Sequence, residues 1–178
     1  MNNFSSTSQN KRKSSKLPDF VTEQELIKII KHTKQKHHKV AFMLGFYEGM
    51  RITEVTKLQP EDVDWGQRMI RIKESKNKKD RNIPIAPQCV KVLKQLPVNV
   101  SQRALQYAFT GAVKRSKITK DLHFHSLRHG GATHYLNTKK WNIRQVQVFL
   151  GHASINSTQI YTHIQPQELI DKMWEGNT

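Results

Sequence analysis

One interruption in an otherwise helix-patterned chain constrains its fold most. Two short β-branched runs, Met69-Ile-Arg-Ile72 and Asn82-Ile-Pro-Ile85, flank the charged stretch Lys73-Glu-Ser-Lys-Asn-Lys-Lys-Asp80. Such a pair around a polar connection reads as a β-hairpin with an exposed tip. Pro84 has no N–H to give a ladder, so it must lie on an edge or a non-bonding side. Elsewhere the apolar residues recur at helical spacing. Thr22-Glu-Gln-Glu25 has the form of a capping box that opens a helix with Leu26, Ile29 and Ile30 on one face. Val40, Met43, Leu44 and Tyr47 mark a second helix. Gly49 permits a sharp turn before Arg51, and a short helix through Val55 and Leu58 stops before Pro60. Further helices are expected over 88–95, 101–115, 126–137, 143–150, 157–164 and 167–174. The expected class is mainly α with a small antiparallel β-sheet, α+β.

A length of 178 residues with 36% apolar content allows one domain with a real core and a tail. Residues 1–17 are rich in Ser, Asn and Lys and read as a disordered basic arm, leaving 18–178 as the folded domain. No apolar run approaches a membrane span, and Met1-Asn-Asn-Phe-Ser lacks the apolar core of a signal peptide. Cys89 is the single cysteine, which excludes an intrachain disulfide and suits a reducing, intracellular compartment such as the cytoplasm or nucleoid. Thirty Lys and Arg against fourteen Asp and Glu give a net charge of +16. That excess points to a polyanionic partner, because basic contacts displace counterions condensed on a nucleic-acid backbone. The basic residues are scattered, with no basic amphipathic helix of broad apolar face, so nucleic acid fits better than a membrane.

Three segments carry chemistry: Glu48-Gly-Met-Arg-Ile-Thr-Glu54, His125-Ser-Leu-Arg128-His129, and the run from Leu150-Gly-His152 to Tyr161-Thr-His163. They offer guanidiniums, imidazoles and a phenol, a set suited to attack on a phosphodiester without a metal. The reacting phosphate gains negative charge, and arginine answers it with a planar, permanently protonated fork. Arg51 and Arg128 are the candidates. A tyrosine with a pKa near 10 is only about one part in a thousand ionised at neutral pH, so a nucleophilic Tyr161 needs a base or nearby cations. His125 and Arg128, three apart at a helix start, share a face where backbone amides also favour an anion. Competing interpretations exist for each group. Arg51 can simply pair with Glu54. His123, His125, His129 and His134 invite a zinc site, although no cysteine or carboxylate stands among them and His-x-x-Arg suits phosphate better. Tyr47, Tyr107 and Tyr135 are expected to be structural, with Tyr135 in the core.

Together these segments resemble the tyrosine recombinase family, the phage-integrase and Xer-like enzymes, from about residue 17 to 178. The family's order of Arg, Lys, His-x-x-Arg, His and Tyr reads here as Arg51, Lys76, His125, Arg128, His152 and Tyr161. The resemblance implies that Tyr161 attacks a DNA strand to form a 3′-phosphotyrosyl link. It makes His125 the proton acceptor and His152 a phosphate hydrogen-bond donor, two roles that spacing alone leaves interchangeable. Lys76 on the hairpin would protonate the leaving 5′-oxygen, with Lys73, Lys78 and Lys79 as close competitors. Glu54 and His129 would support neighbouring groups, and Lys73, Lys78, Lys79 and Arg81 would contact DNA. No cofactor and no metal are implied, because the bond energy stays in the phosphotyrosyl link until another strand's 5′-hydroxyl reverses the step. The implied function is site-specific recombination, integration or excision on double-stranded DNA. The alternative is a catalytically weak or inactive DNA-binding accessory module.

Three features bear on that resemblance. Most relatives carry an N-terminal core-binding domain where only the basic arm stands here, so the expectation is a minimal recombinase, a truncation or a separately expressed catalytic fragment, with weaker, more salt-sensitive DNA binding where no separate clamping partner replaces that domain. Gly130-Gly131 follows the His-x-x-Arg-His motif, and glycine in a helix interior costs about 1 kcal/mol against alanine, so a looser turn is expected there. Segment 165–178, with Leu169, Ile170, Met173 and Trp174, is amphipathic and suits either covering its own core or docking on a neighbouring copy during self-association on DNA.

Overall fold

The structure is a computed structural model that describes residues 19–73, 80–151 and 166–176. Helix α1 (Glu23–Lys31) begins as its capping box requires. The Thr22 N–H donates to the Glu25 carboxylate at 2.9 Å and the Glu25 N–H returns to the Thr22 hydroxyl at 3.3 Å. Helix α2 (Lys36–Tyr47) is buried on nearly every side and serves as the central strut. The chain then reverses at Gly49, whose φ of +58° is open to glycine at little cost. A Cβ there would also come within 2.5 Å of Leu150. The short helix α3 (Ile52–Lys57) follows.

The hairpin forms as expected, with strands β2 (Met69–Ile72) and β3 (Arg81–Pro84) paired antiparallel so that Ile70 faces Ile83 and Ile72 faces Arg81. A further strand, β1 (Val63–Asp64), pairs with β2 and was not anticipated, being too short to show periodicity. The sheet order β1-β2-β3 leaves β3 on an edge, which explains how Pro84 is tolerated. The Arg71 guanidinium bonds Asp80 across the hairpin base at 2.8 Å.

The helix expected over 88–95 proves shorter. A 3-10 turn at Pro87–Cys89 leads into a single turn, α4 (Val90–Leu93). The remaining helices are α5 (Gln102–Arg115), capped by Ser101, then α6 (Phe124–Asn137), α7 (Ile143–Leu150) and α8 (Pro166–Trp174). The helix expected over 157–164 lies outside the described residues. Phe42, Phe109 and Phe124 meet edge to face, and Tyr135, Trp141 and Phe149 form a second aromatic group behind α6. Tyr135 is buried as expected, its hydroxyl donating to the Tyr47 carbonyl at 2.6 Å.

The glycine pair in α6 corrects the expectation of a loose turn. A Cβ on Gly131 would lie 2.0 Å from the Phe46 carbonyl oxygen, and one on Gly130 would lie 2.0 Å from the Val21 carbonyl oxygen. Both positions are backbone-on-backbone contacts within an unbroken helix. The glycines let α6 close against α2 and the start of α1, and the junction is tight.

Helix α8 covers its own domain. Leu169 and Met173 are buried, the Trp174 indole donates to the Ile85 carbonyl at 3.0 Å, and Arg68 stacks on the same ring at 4.3 Å. Gln145 on α7 donates to Glu168 at 2.8 Å. Of the two roles open to this segment, the structure displays the first.

Candidate active site

Arg51 stands at the N-terminus of α3, set there by the Gly49 reversal. Its backbone N–H donates to Glu54 Oε2 at 2.8 Å and its Nη1 to Glu54 Oε1 at 2.7 Å, while about a third of the side chain, 31%, stays exposed. The i,i+3 pairing weighed from sequence therefore exists, and it leaves Arg51 partly open. Arg81 approaches the same carboxylate from β3, with Nη1 to Oε1 at 3.0 Å and Nη2 to Oε2 at 3.1 Å. Burial alone would raise the Glu54 carboxyl. The bonds and charge of Arg81, joined by those of Arg51, outweigh it and hold the group below the usual carboxylate range.

Arg128 is almost wholly buried on the second turn of α6. Its Nη1 donates to the Gly49 carbonyl at 2.6 Å and its Nη2 to the Leu150 carbonyl at 2.7 Å. Those carbonyls lie two residues before Arg51 and two residues before His152. One guanidinium thus ties together the backbone segments that lead to both positions. Gly151, left-handed at φ +65°, closes α7, and a Cβ there would lie 2.6 Å from Arg81 Cδ. Arg51, Glu54, Arg81, Arg128 and Gly151 accordingly form one connected cluster where α3, α6, α7 and the hairpin meet.

His125 lies exposed on the first turn of α6, and its ring meets the His129 ring at 4.5 Å, nearly perpendicular. The other two histidines of the group lie apart from this pair. His134 is buried 3.7 Å from Glu23, and His123 lies 3.6 Å from Asp121. Among the described residues, no group of three or more His, Cys, Asp or Glu is arranged to hold one. Lys73, expected at the DNA, forms an ion pair with the buried Asp62 at 2.5 Å and remains half exposed. Arg81, expected at the DNA as well, turns inward to Glu54 with only 13% of its side chain exposed. Lys76, Lys78, Lys79, His152 and Tyr161 lie outside the described residues. No helix of the described residues is long and apolar enough to cross a membrane.

Sequence reasoning missed two groups around this cluster. Glu48 is fully buried at the end of α2, accepts the Ala86 N–H at 2.9 Å and sits beside the Cys89 thiol. Burial pushes its carboxyl up to about 8. The other is the inward course of Arg81. A glutamate preceding a glycine turn and an arginine opening a strand carry no local mark of either fate.

The family model of the phage integrase family matches residues 19–168. A tyrosine recombinase of Thermosipho africanus is 32% identical over 173 residues, covering 88% of this chain and 61% of that protein. The chain thus spans about three fifths of the length of the curated relatives it matches. Among solved structures, the integrase from mycobacterium phage Brujita aligns with a TM-score of 0.77 at 20% identity, covering 91% of this chain and 59% of that one. A lambda integrase(75-356) dimer bound to a COC' core site aligns with a TM-score of 0.66 at 20% identity, covering 79% of this chain and 60% of that one. At these identities the structural likeness carries the fold.

Proposed function

The chain belongs to the phage integrase family, and from that premise we propose that it cleaves and rejoins duplex DNA through a 3′-phosphotyrosyl intermediate, as a site-specific recombinase or integrase. The observation that carries the reading is the Arg128 bridge. A buried guanidinium bonded to the Gly49 and Leu150 carbonyls ties the turn before Arg51 to the end of α7, which supports a phosphate pocket shared by Arg51, Arg128 and His152. In the proposed reaction Tyr161 Oη attacks the scissile phosphorus and its proton passes to His125. Arg51, Arg128 and His152 hold the non-bridging oxygens as their charge grows, and Lys76 protonates the departing 5′-oxygen. A 5′-hydroxyl of another strand then displaces Tyr161. In that reverse step Lys76 takes the proton of the incoming hydroxyl and His125 returns one to Tyr161, so side chains supply every proton and we assign no metal or cofactor.

Residues 18–178 form the catalytic domain in this proposal and residues 1–17 a basic arm, acting in the intracellular compartment where duplex DNA resides. Lys73, Lys78 and Lys79 lie along the backbone of the DNA. Self-association on DNA is part of the reading, on the precedent of the lambda integrase dimer on its core site. Because the apolar side of α8 is spent on its own core, a neighbour reaching segment 165–178 meets its polar outer side, Gln167, Asp171 and Glu175.

The test uses a pool of randomised duplexes, each nicked just 3′ of the potential cleavage position and labelled at the 5′ end of that strand. The short released fragment diffuses away and traps the adduct. A labelled protein band that survives denaturation and EDTA is expected, and Tyr161→Phe is expected to lose it while still binding DNA. Saturated binding without an adduct would leave the accessory-module alternative. An adduct that needs a divalent metal contradicts the chemistry.

A further inference from the structure

We propose that Arg81 is a positioning residue for Arg51, acting through Glu54, and is not a contact to the DNA backbone. The inference rests on the cleavage reading above and assigns a task within that site. Its basis is charge and geometry in the described cluster. Glu54 is nearly buried, and both its oxygens accept from two arginines, one of them Arg81 through a two-pronged bond. A lone Arg51–Glu54 pair has no net charge. Such a pair would leave Arg51 little attraction for an incoming phosphate and a carboxylate facing the anion. With Arg81 present the trio carries one net positive charge, and Glu54 serves as a fixed anchor shared between two cations. Arg51, the more exposed of the two, is the one able to turn toward substrate.

The side chain type follows from the task. A planar guanidinium meets both carboxylate oxygens at once, and lysine offers only a point charge to one of them. The path of the side chain matters as well. Arg81 begins β3 opposite Ile72 and crosses Gly151, whose missing Cβ makes room for Arg81 Cδ and Nε. The same residue therefore braces the base of the hairpin against the end of α7. A guanidinium engaged this way, with 13% exposure of the side chain, has both Nη atoms turned to Glu54.

The experiment compares Arg81→Gln with wild type in two arms. In the first, single-turnover adduct formation is measured on a trapped duplex carrying either a phosphodiester or a neutral methylphosphonate at the scissile position. Arg81→Gln is expected to lose about 10²-fold on the phosphodiester, the scale of removing one transition-state donor. The gap should shrink to within a few-fold on the methylphosphonate, which has less charge for Arg51 to hold. A merely structural defect would slow both substrates alike and overturn the proposal. Arg81→Lys, which keeps the charge and fills most of the space, should show a smaller loss with the same recovery. In the second arm, the salt dependence of binding to a random-sequence duplex is measured in a Tyr161→Phe background. The slope should not change. A slope reduced by about one would make Arg81 a phosphate contact and overturn the proposal. A wild-type protein that forms no adduct refutes the cleavage reading, while the binding arm still decides where Arg81 acts.

Discussion

Replacing Gly131 by alanine sets two effects of opposite sign against each other. By helix propensity the change is favourable by about 1 kcal/mol, since alanine in a helix interior loses less backbone freedom. By packing it is unfavourable, because the new Cβ would sit 2.0 Å from the Phe46 carbonyl oxygen. Ordinary contact needs more than 1 Å of further separation, and both partners are backbone of packed helices. Overpacking of this kind costs about 1–3 kcal/mol, occasionally more, and rigid atoms on both sides place Gly131 at or beyond the upper end. The expected net is a loss of about 2 kcal/mol, or a melting temperature lower by roughly 4–8 °C for a domain of this size. Gly111→Ala on α5 is the internal control. Its Cβ would meet only the end of the Arg115 side chain at 3.2 Å, so propensity should win there and the protein gain stability. Urea unfolding followed by circular dichroism measures both. Adduct formation should fall in step, because α6 carries His125 and Arg128, and displacing a reacting group by about 1 Å can cost 10²-fold. A Gly131→Ala protein as stable as wild type, with Gly111→Ala behaving as expected, would refute the close-approach argument.

Two further substitutions probe the surroundings. The Glu48 carboxyl stands at about 8 in the fold against an ordinary 4.5, so its contribution to stability is complete below pH 4.5 and is lost as pH rises toward 8. At pH 7 the loss amounts to about 3 kcal/mol at 1.36 kcal/mol per unit. Glu48→Gln keeps an acceptor for the Ala86 N–H without an ionising group. It should flatten the urea-derived stability between pH 5 and 8 and exceed wild type at pH 8, and parallel curves for the two proteins would count against the buried-acid account. Trp174→Phe removes the indole bond to Ile85 and should cost about 1 kcal/mol in the same assay. An unchanged midpoint would mean that α8 is not held on its own core in solution.

The parts of the fold visible in the sequence are those set by local rules. The Thr22 capping box, the Gly49 reversal, the hairpin and its edge proline, and the periods of α1, α2, α5, α6 and α7 all follow from residues close together in the chain. What escaped the sequence is tertiary. Gly130 and Gly131 look like helix weaknesses until Val21 and Phe46 are placed beside them. Arg81 looks like one more cation of a basic hairpin until Glu54, 27 residues earlier, is found in its path. Strand β1 is two residues long and pairs only because β2 is there to receive it. In the candidate site, the motifs and their order nominate Arg51, Glu54, His125 and Arg128, and the fold brings Arg51, Glu54 and Arg128 into one cluster, whereas the burial of Arg128 and the sharing of Glu54 required the fold.

That burial explains why three positions of the cluster carry arginine and not lysine. Arg128 spends two N–H groups on carbonyls of different segments, Arg81 spends two on one carboxylate, and Arg51 gives Glu54 one side-chain bond. A guanidinium carries five N–H groups in a fixed plane, so two bonds at once set the direction of the whole group. A lysine has three N–H groups on one rotating nitrogen, so a bond to the scaffold would not fix an orientation in the same way. Arginine holds its charge where the scaffold sets it, and of the two that share Glu54 it is Arg51 whose side chain is the more exposed, 31% against 13% for Arg81.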